Sequence, residues 1–150
     1  MPEDRQYCTF FLDGHFFGID VLEVQEVIRY QDMTRVPLAP AVVRGLINLR
    51  GQIVTAIDLR RRLELPERPA DQSPINVVVH TDDGAVSLLV DEIGDVLEVT
   101  EKAFERPPET LRGTARELIR GAYKLPNQLL LILDTERTVN LTAGRMKDEG

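Results

Sequence analysis

The sequence has one cysteine, no tryptophan and only 5% aromatic residues in its 150 positions. A single thiol, Cys8, excludes an intramolecular disulfide framework. Its place in the run Tyr7-Cys8-Thr9-Phe10-Phe11-Leu12 makes it a small buried apolar side chain. No apolar run approaches the roughly 18 residues of a membrane-spanning helix. The start Met1-Pro2-Glu3-Asp4-Arg5 lacks the basic and apolar stretches of a secretory leader, so the expected compartment is the cytoplasm. A basic surplus is missing as well. Eighteen Lys and Arg stand against 25 Asp and Glu, a formal charge of -7, and no face combines basic and aromatic side chains as nucleic-acid binding requires.

The groupings that carry chemistry are also scarce. There are two histidines and two serines, none in a nucleophile elbow: Ser73 lies in a proline-rich stretch, Ser87 alternates within a strand, His15 sits in a hairpin loop and His80 ends a strand. No Cys-x-x-Cys, no histidine pair at helical spacing and no twelve-residue calcium loop is present. Asp91-Glu92 with Asp95 reads as a solvated turn between strands, and Arg60-Arg61-Arg62 as the polar face of a helix. Gly113, Gly121 and Gly144 stand isolated, without the spacing of a phosphate-binding loop. The expectation is a non-enzyme with no cofactor and no metal. A small hydrolase or metal enzyme using the Asp91–Asp95 turn or the histidines is the alternative from another class.

What is present is a series of short apolar runs broken by turn signals. Residues 7–19 read as a hairpin turned at Asp13-Gly14. From Asp20 to Arg29 the apolar Val21, Val24 and Ile28 fall at i, i+3 and i+7, which predicts a short helix capped by Asp20, although Leu22 and Val27 blur the period. Pro37 and Pro40 bracket a turn. Gly45–Arg50 and Gln52–Ile57 then flank Gly51 as a tight hairpin, and Asp58 caps a short helix through Leu63. Residues 66–74, with three prolines, read as a surface linker.

After the linker the order of elements recurs. Ile75–Val79 and Ala85–Val90 form a hairpin at Asp83-Gly84. Ile19-Asp20 is echoed by Val90-Asp91, and Asp58 by Asp134 after Leu129–Leu133. This predicts a mainly β protein of two similar subdomains, residues 7–65 and 75–141, with exchange of terminal segments between them left open, and a frayed tail at 142–150. A chain of about 65 residues buries only ~60% of its unfolded surface, so the halves are expected to share an apolar seam. That seam is the natural place for a binding groove. Asn48-Leu49-Arg50-Gly51 adds an arginine on a hairpin tip beside a glycine free to take left-handed geometry, and arginine is a frequent interface anchor.

At these residues the chain resembles the CheW family of chemotaxis coupling proteins. The resemblance runs through Phe17-Gly18-Ile19-Asp20, Val24-Gln25-Glu26-Val27-Ile28, Val36-Pro37, Gly45–Gly51, Ile57-Asp58-Leu59-Arg60, Leu89-Val90-Asp91, Pro107-Pro108 and Leu131-Ile132-Leu133-Asp134. It covers about residues 7–141. It implies two five-stranded, SH3-like barrels and an adaptor that binds the regulatory domain of the histidine kinase CheA and the cytoplasmic tip of methyl-accepting chemoreceptors. Further copies of itself are a third candidate partner, in arrays recruited to the membrane without insertion. A coupling protein of a non-flagellar system, controlling surface motility or second-messenger output, is the nearest alternative. Carried over by position, Val24, Glu26, Val36, Val86 and Asn48, Leu49, Arg50 and Gly51 belong at the contact surfaces, with Arg50 foremost. Thr55 departs from the family's common proline and restores a backbone donor. The length of 150 residues predicts a coupling protein with no kinase or receiver domain attached.

Overall fold

The computed structural model describes residues 4–141. In chain order these form β1 (Asp4–Leu12), β2 (His15–Asp20), a 3-10 turn (Val21–Glu23), β3 (Val24–Ile28), β4 (Val43–Leu49), β5 (Gln52–Asp58) and α1 (Leu59–Arg62). There follow β6 (Ile75–Thr81), β7 (Gly84–Val90), β8 (Glu92–Thr100), a second 3-10 turn (Glu101–Ala103), β9 (Phe104–Glu105), α2 (Gly113–Leu118), β10 (Ile119–Lys124), β11 (Leu129–Leu133) and α3 (Thr135–Val139). None of the helices among the described residues is long and apolar enough to cross a membrane. The expected tail, 142–150, lies outside the described residues.

The strands make two sheets, in the orders β8-β1-β2-β11-β10-β9 and β3-β6-β7-β5-β4. The mainly β architecture is as expected. The contiguous halves are not the sheets: the N-terminal hairpin β1–β2 joins the strands of the second half, and the hairpin β6–β7 joins those of the first. The chain therefore crosses between sheets at Asp20, from β2 to β3, and at Asp91, from β7 to β8. The smaller sheet is closed on itself by the segment after β3, where Thr34 and Leu46 exchange backbone hydrogen bonds of 2.9 and 2.8 Å. In the larger sheet the corresponding segment is long enough to count as β9, so the strand numbers are six and five instead of five and five.

Three apolar clusters fill this frame. Ile47, Leu49, Val54, Ala56, Val78 and Leu89 occupy the smaller sheet, and Tyr7, Phe16, Tyr123, Leu130 and Ile132 the larger. The third cluster lies between the sheets and draws on both, with Phe10, Leu12, Phe17 and Ile19 against Ile57, Val77, Val79, Leu88 and Val90. This is the seam that each half needs to bury its remaining apolar face.

Two local expectations are corrected. Residues 24–28 are a strand, and only Val21–Glu23 turn helically, with the Asp20 carboxylate accepting from the Leu22 N–H at 2.9 Å. The β-branched Val24, Val27 and Ile28 pair with the apolar β6, and a bulge between Val24 and Glu26 shifts the alternation. The second-half hairpin turns at Asp82-Asp83, and Gly84 (φ 112°) opens β7 by pairing with Thr81. The short helices after Asp58 and Asp134 form as expected, each aspartate accepting from backbone N–H groups of its first turn.

Candidate docking surface

The β4–β5 hairpin closes on the pair Leu49↔Gln52, leaving Arg50 and Gly51 as its two turn residues. Both have positive φ, 51° and 88°, as the type I′ turn that suits a twisted hairpin demands. The Asn48 side-chain oxygen accepts from the Gly51 N–H at 2.8 Å, stiffening the tip. Arg50 projects into solvent and forms an ion pair with Glu26 of β3. Since β3 and β4 are the opposite edges of the smaller sheet, this contact spans the same gap that Thr34 and Leu46 bridge. Leu49 does not join the surface. It is 7% exposed and packs inward with Val54 and Ile47, supporting the tip from beneath.

Val24 and Val86 belong to one row across the sheet, running Val24, Val79, Val86, Thr55 and Leu46 through successive partners. Val79 is fully buried in the seam while Val24 and Val86 are half-buried at its rim. The apolar surface continues outward on both sides. Ile53, on the same face of β5 as Thr55, is 62% exposed, and Leu22, at the crossing into β3, is 85% exposed. Sequence reasoning missed both. The signal for Leu22 was present, because it is one of the two apolar residues, with Val27, that do not fit the helical period.

Val36 lies apart from this rim, on a turn closed by Ala39 N–H donating to the Val36 carbonyl at 3.3 Å. Leu38, in the same turn, takes φ 66° and is fully exposed. Together with Pro37, Arg35, Arg44 and Arg61 they line an open depression of about 820 Å³. The predicted residues thus fall in three places: the tip with Glu26, the seam rim, and the turn at Val36.

The charged residues depart further from expectation. Asp91 is not in a solvated turn, and Arg60 is not on a polar face. Their side chains are each 7% exposed and form an ion pair of 2.5 Å. Arg68, from the linker, is 5% exposed and bonds Asp91 at 2.9 Å. Burial on its own would raise the Asp91 carboxyl. Hydrogen bonds from Arg60, from the Asp13 N–H and from Arg68 outweigh it and leave the group below the usual carboxylate range. Burial instead prevails at Glu23, which the nearby Asp20 and Asp134 push up further, against a hydrogen bond from Thr135 and the charge of Arg120. Burial followed by the charge of Asp20 pushes the half-buried Cys8 thiol up. His15 and His80 are exposed. Among the described residues no three His, Cys, Asp or Glu side chains converge as a metal site would need.

This two-sheet β protein exposes apolar side chains at the seam rim (Leu22 and Ile53) and at the turn of Val36 and Leu38, and further ones on the larger sheet at Ile93, Val96 and Phe104. The chain belongs to the CheW-like family, whose model matches residues 6–143. It is 34% identical over 136 residues to the chemotaxis protein CheW of Bacillus subtilis, covering 91% of this chain and 87% of that protein. To the chemotaxis protein CheW of Treponema pallidum it is 30% identical over 139 residues, covering 90% and 82%. The solved structure of the scaffolding protein TtCheW from Thermoanaerobacter tengcongensis superposes with a TM-score of 0.83 at 25% identity, over 95% of each chain.

Proposed function

We propose that this protein is a chemotaxis scaffold that joins methyl-accepting chemoreceptors to the histidine kinase CheA by binding both, making and breaking no bond. The observation that carries this reading is the uncovered apolar rim of Val24, Val86, Ile53 and Leu22, a strip suited to one face of a receptor helix. The hairpin tip of Asn48, Arg50 and Gly51 with Glu26, and the turn at Val36, supply further contact points for the regulatory domain of the kinase. Micromolar contacts of about 8 kcal/mol each are enough for such a scaffold, because repetition in an array raises effective concentration.

The test is co-sedimentation of the purified protein with receptor and kinase fragments, comparing wild type with Arg50→Glu. The substitution sets a second carboxylate beside Glu26 and removes the exposed guanidinium. A lost interface anchor costs about 2 kcal/mol or more, roughly thirtyfold in affinity. Wild type is expected in the pellet and the folded variant in the supernatant. A wild type that pellets with neither partner contradicts the reading.

A further inference from the structure

We infer that Asp91, with Arg60 and Arg68, is a lock that holds the two sheets together at one end of the seam and thereby sets the width of the rim at the other end. Three separate pieces of the chain meet on this one carboxylate, and a fourth bond ties its backbone to β1. Its backbone lies at the crossing between sheets, with the Asp91 N–H donating to the Phe11 carbonyl of β1 at 3.0 Å. The N–H of Asp13, in the β1–β2 turn, donates to Oδ2 at 2.8 Å. Arg60 of α1 donates from Nε to both oxygens at 3.0 and 3.2 Å, and its Nη1 reaches the carbonyls of Pro66 and Glu67 at 3.0 and 3.3 Å. Arg68 brings the linker itself, donating from Nε to Oδ1 at 2.9 Å, with its Nη1 4.0 Å from Asp58.

The geometry is that of a fastening and not of a surface charge network. Asp91, Arg60 and Arg68 are all nearly inaccessible to water, so none of them is held cheaply. The Nη2 of Arg68 is buried without an acceptor among the described residues, a cost that an ordinary linker arginine turned to solvent would avoid. The other crossing is built differently. Asp20 occupies the equivalent position, but it meets Arg5 at 3.4 Å where that arginine side chain is 39% exposed, and it is followed by the exposed Leu22.

The lock and the rim are connected by one strand. Val86 and Asp91 are five residues apart along β7, about 17 Å at ~3.3 Å per residue, and Ser87–Val90 between them are buried. With the seam fastened at Asp91, the end left to widen is the one bordered by the half-buried Val24 and Val86, where the crossing at Asp20 carries only the longer, more exposed pair with Arg5. Asp91 is therefore a positioning residue for docking, in a sense that rests on the scaffold reading. The lock itself can be read without any partner.

The test places spin labels at the rim end of each sheet, at His80→Cys in β6 and Glu98→Cys in β8, both exposed, in a Cys8→Ser background. Electron-electron distance measurements are expected to give one narrow distribution in the otherwise wild-type chain. Asp91→Asn is expected to give a broad distribution extending to longer distances, and Arg68→Gln, which frees only the linker, an intermediate one. If Asp91→Asn does not fold, Arg68→Gln carries the comparison. Unlabelled Asp91→Asn is expected to bind a receptor fragment about tenfold more weakly. Folded variants that keep the narrow distribution overturn the lock. A wild type that binds no receptor fragment, while Asp91→Asn still broadens the distribution, overturns the scaffold reading and leaves the lock standing.

Discussion

At the scale of the residue, the largest departure from the sequence reading is Asp91. Its partners Arg60 and Arg68 lie 31 and 23 positions away, and nothing within the tripeptide Val90-Asp91-Glu92 distinguishes a buried acceptor from a turn carboxylate. Arg50 was legible for the opposite reason, since a turn and its glycine are adjacent in sequence. Because the folded chain holds the Asp91 carboxyl below its usual range, it binds fewer protons folded than unfolded. The stabilisation is present above the unfolded value, near pH ~4, and is lost as the pH falls through the folded value. Asp91→Asn removes the anion nearest to the buried Arg60 and Arg68 and leaves them only the more distant Asp13 and Asp58, at a cost of about 3 kcal/mol at pH 7. Urea unfolding is expected to show that difference shrinking below pH ~4, where wild type loses the charge too. A difference that is constant from pH 7 to 3 would show that the charge is not what stabilises.

At the scale of the element, hairpins and capped helices were legible because Asp-Gly turns and Asp caps act within four residues. The strand β3 was not. A bulge between Val24 and Glu26 makes the register run Val24↔Val79, Glu26↔Val78, Val27↔Val77, so Val24 and Val27 come to share a face at a spacing of three and the alternation by two that marks a strand is lost from the sequence. The closing segments were equally hidden, since Thr34 makes an isolated bridge and β9 has two residues. Both closures depend on a glycine. A Cβ on Gly45 would stand 2.7 Å from the Thr34 carbonyl oxygen, and one on Gly121 would stand 2.5 Å from that of Glu105. Gly45→Ala is expected to open the Thr34–Leu46 bridge, costing about 2 kcal/mol. At about 3 °C per kcal/mol for a chain of this size, Tm falls by roughly 6 °C. A thermal melt unchanged from wild type would show that the bridge does not hold the barrel closed.

At the scale of the whole molecule, the two sheets follow one plan. The order β3-β6-β7-β5-β4 repeats β8-β1-β2-β11-β10, each with one parallel pair, β5 with β7 and β11 with β2. Each half lends its hairpin to the other. The sequence showed the recurrence through Asp58 and Asp134, and it carries a closer echo in Val43-Arg44-Gly45 and Ile119-Arg120-Gly121, the two bulged strand starts. The exchange itself was not legible, because pairing partners across a crossing leave no local mark. Reciprocal exchange makes the seam obligatory, and the seam's uncovered rim is the surface on which the scaffold reading depends. That reading requires one molecule to hold two partners at once. Sedimentation velocity of the protein mixed with receptor and kinase fragments, each at a concentration well above its Kd, measures this directly. The account predicts a ternary species heavier than either binary complex. Two binary species that compete, with no ternary boundary, would contradict it.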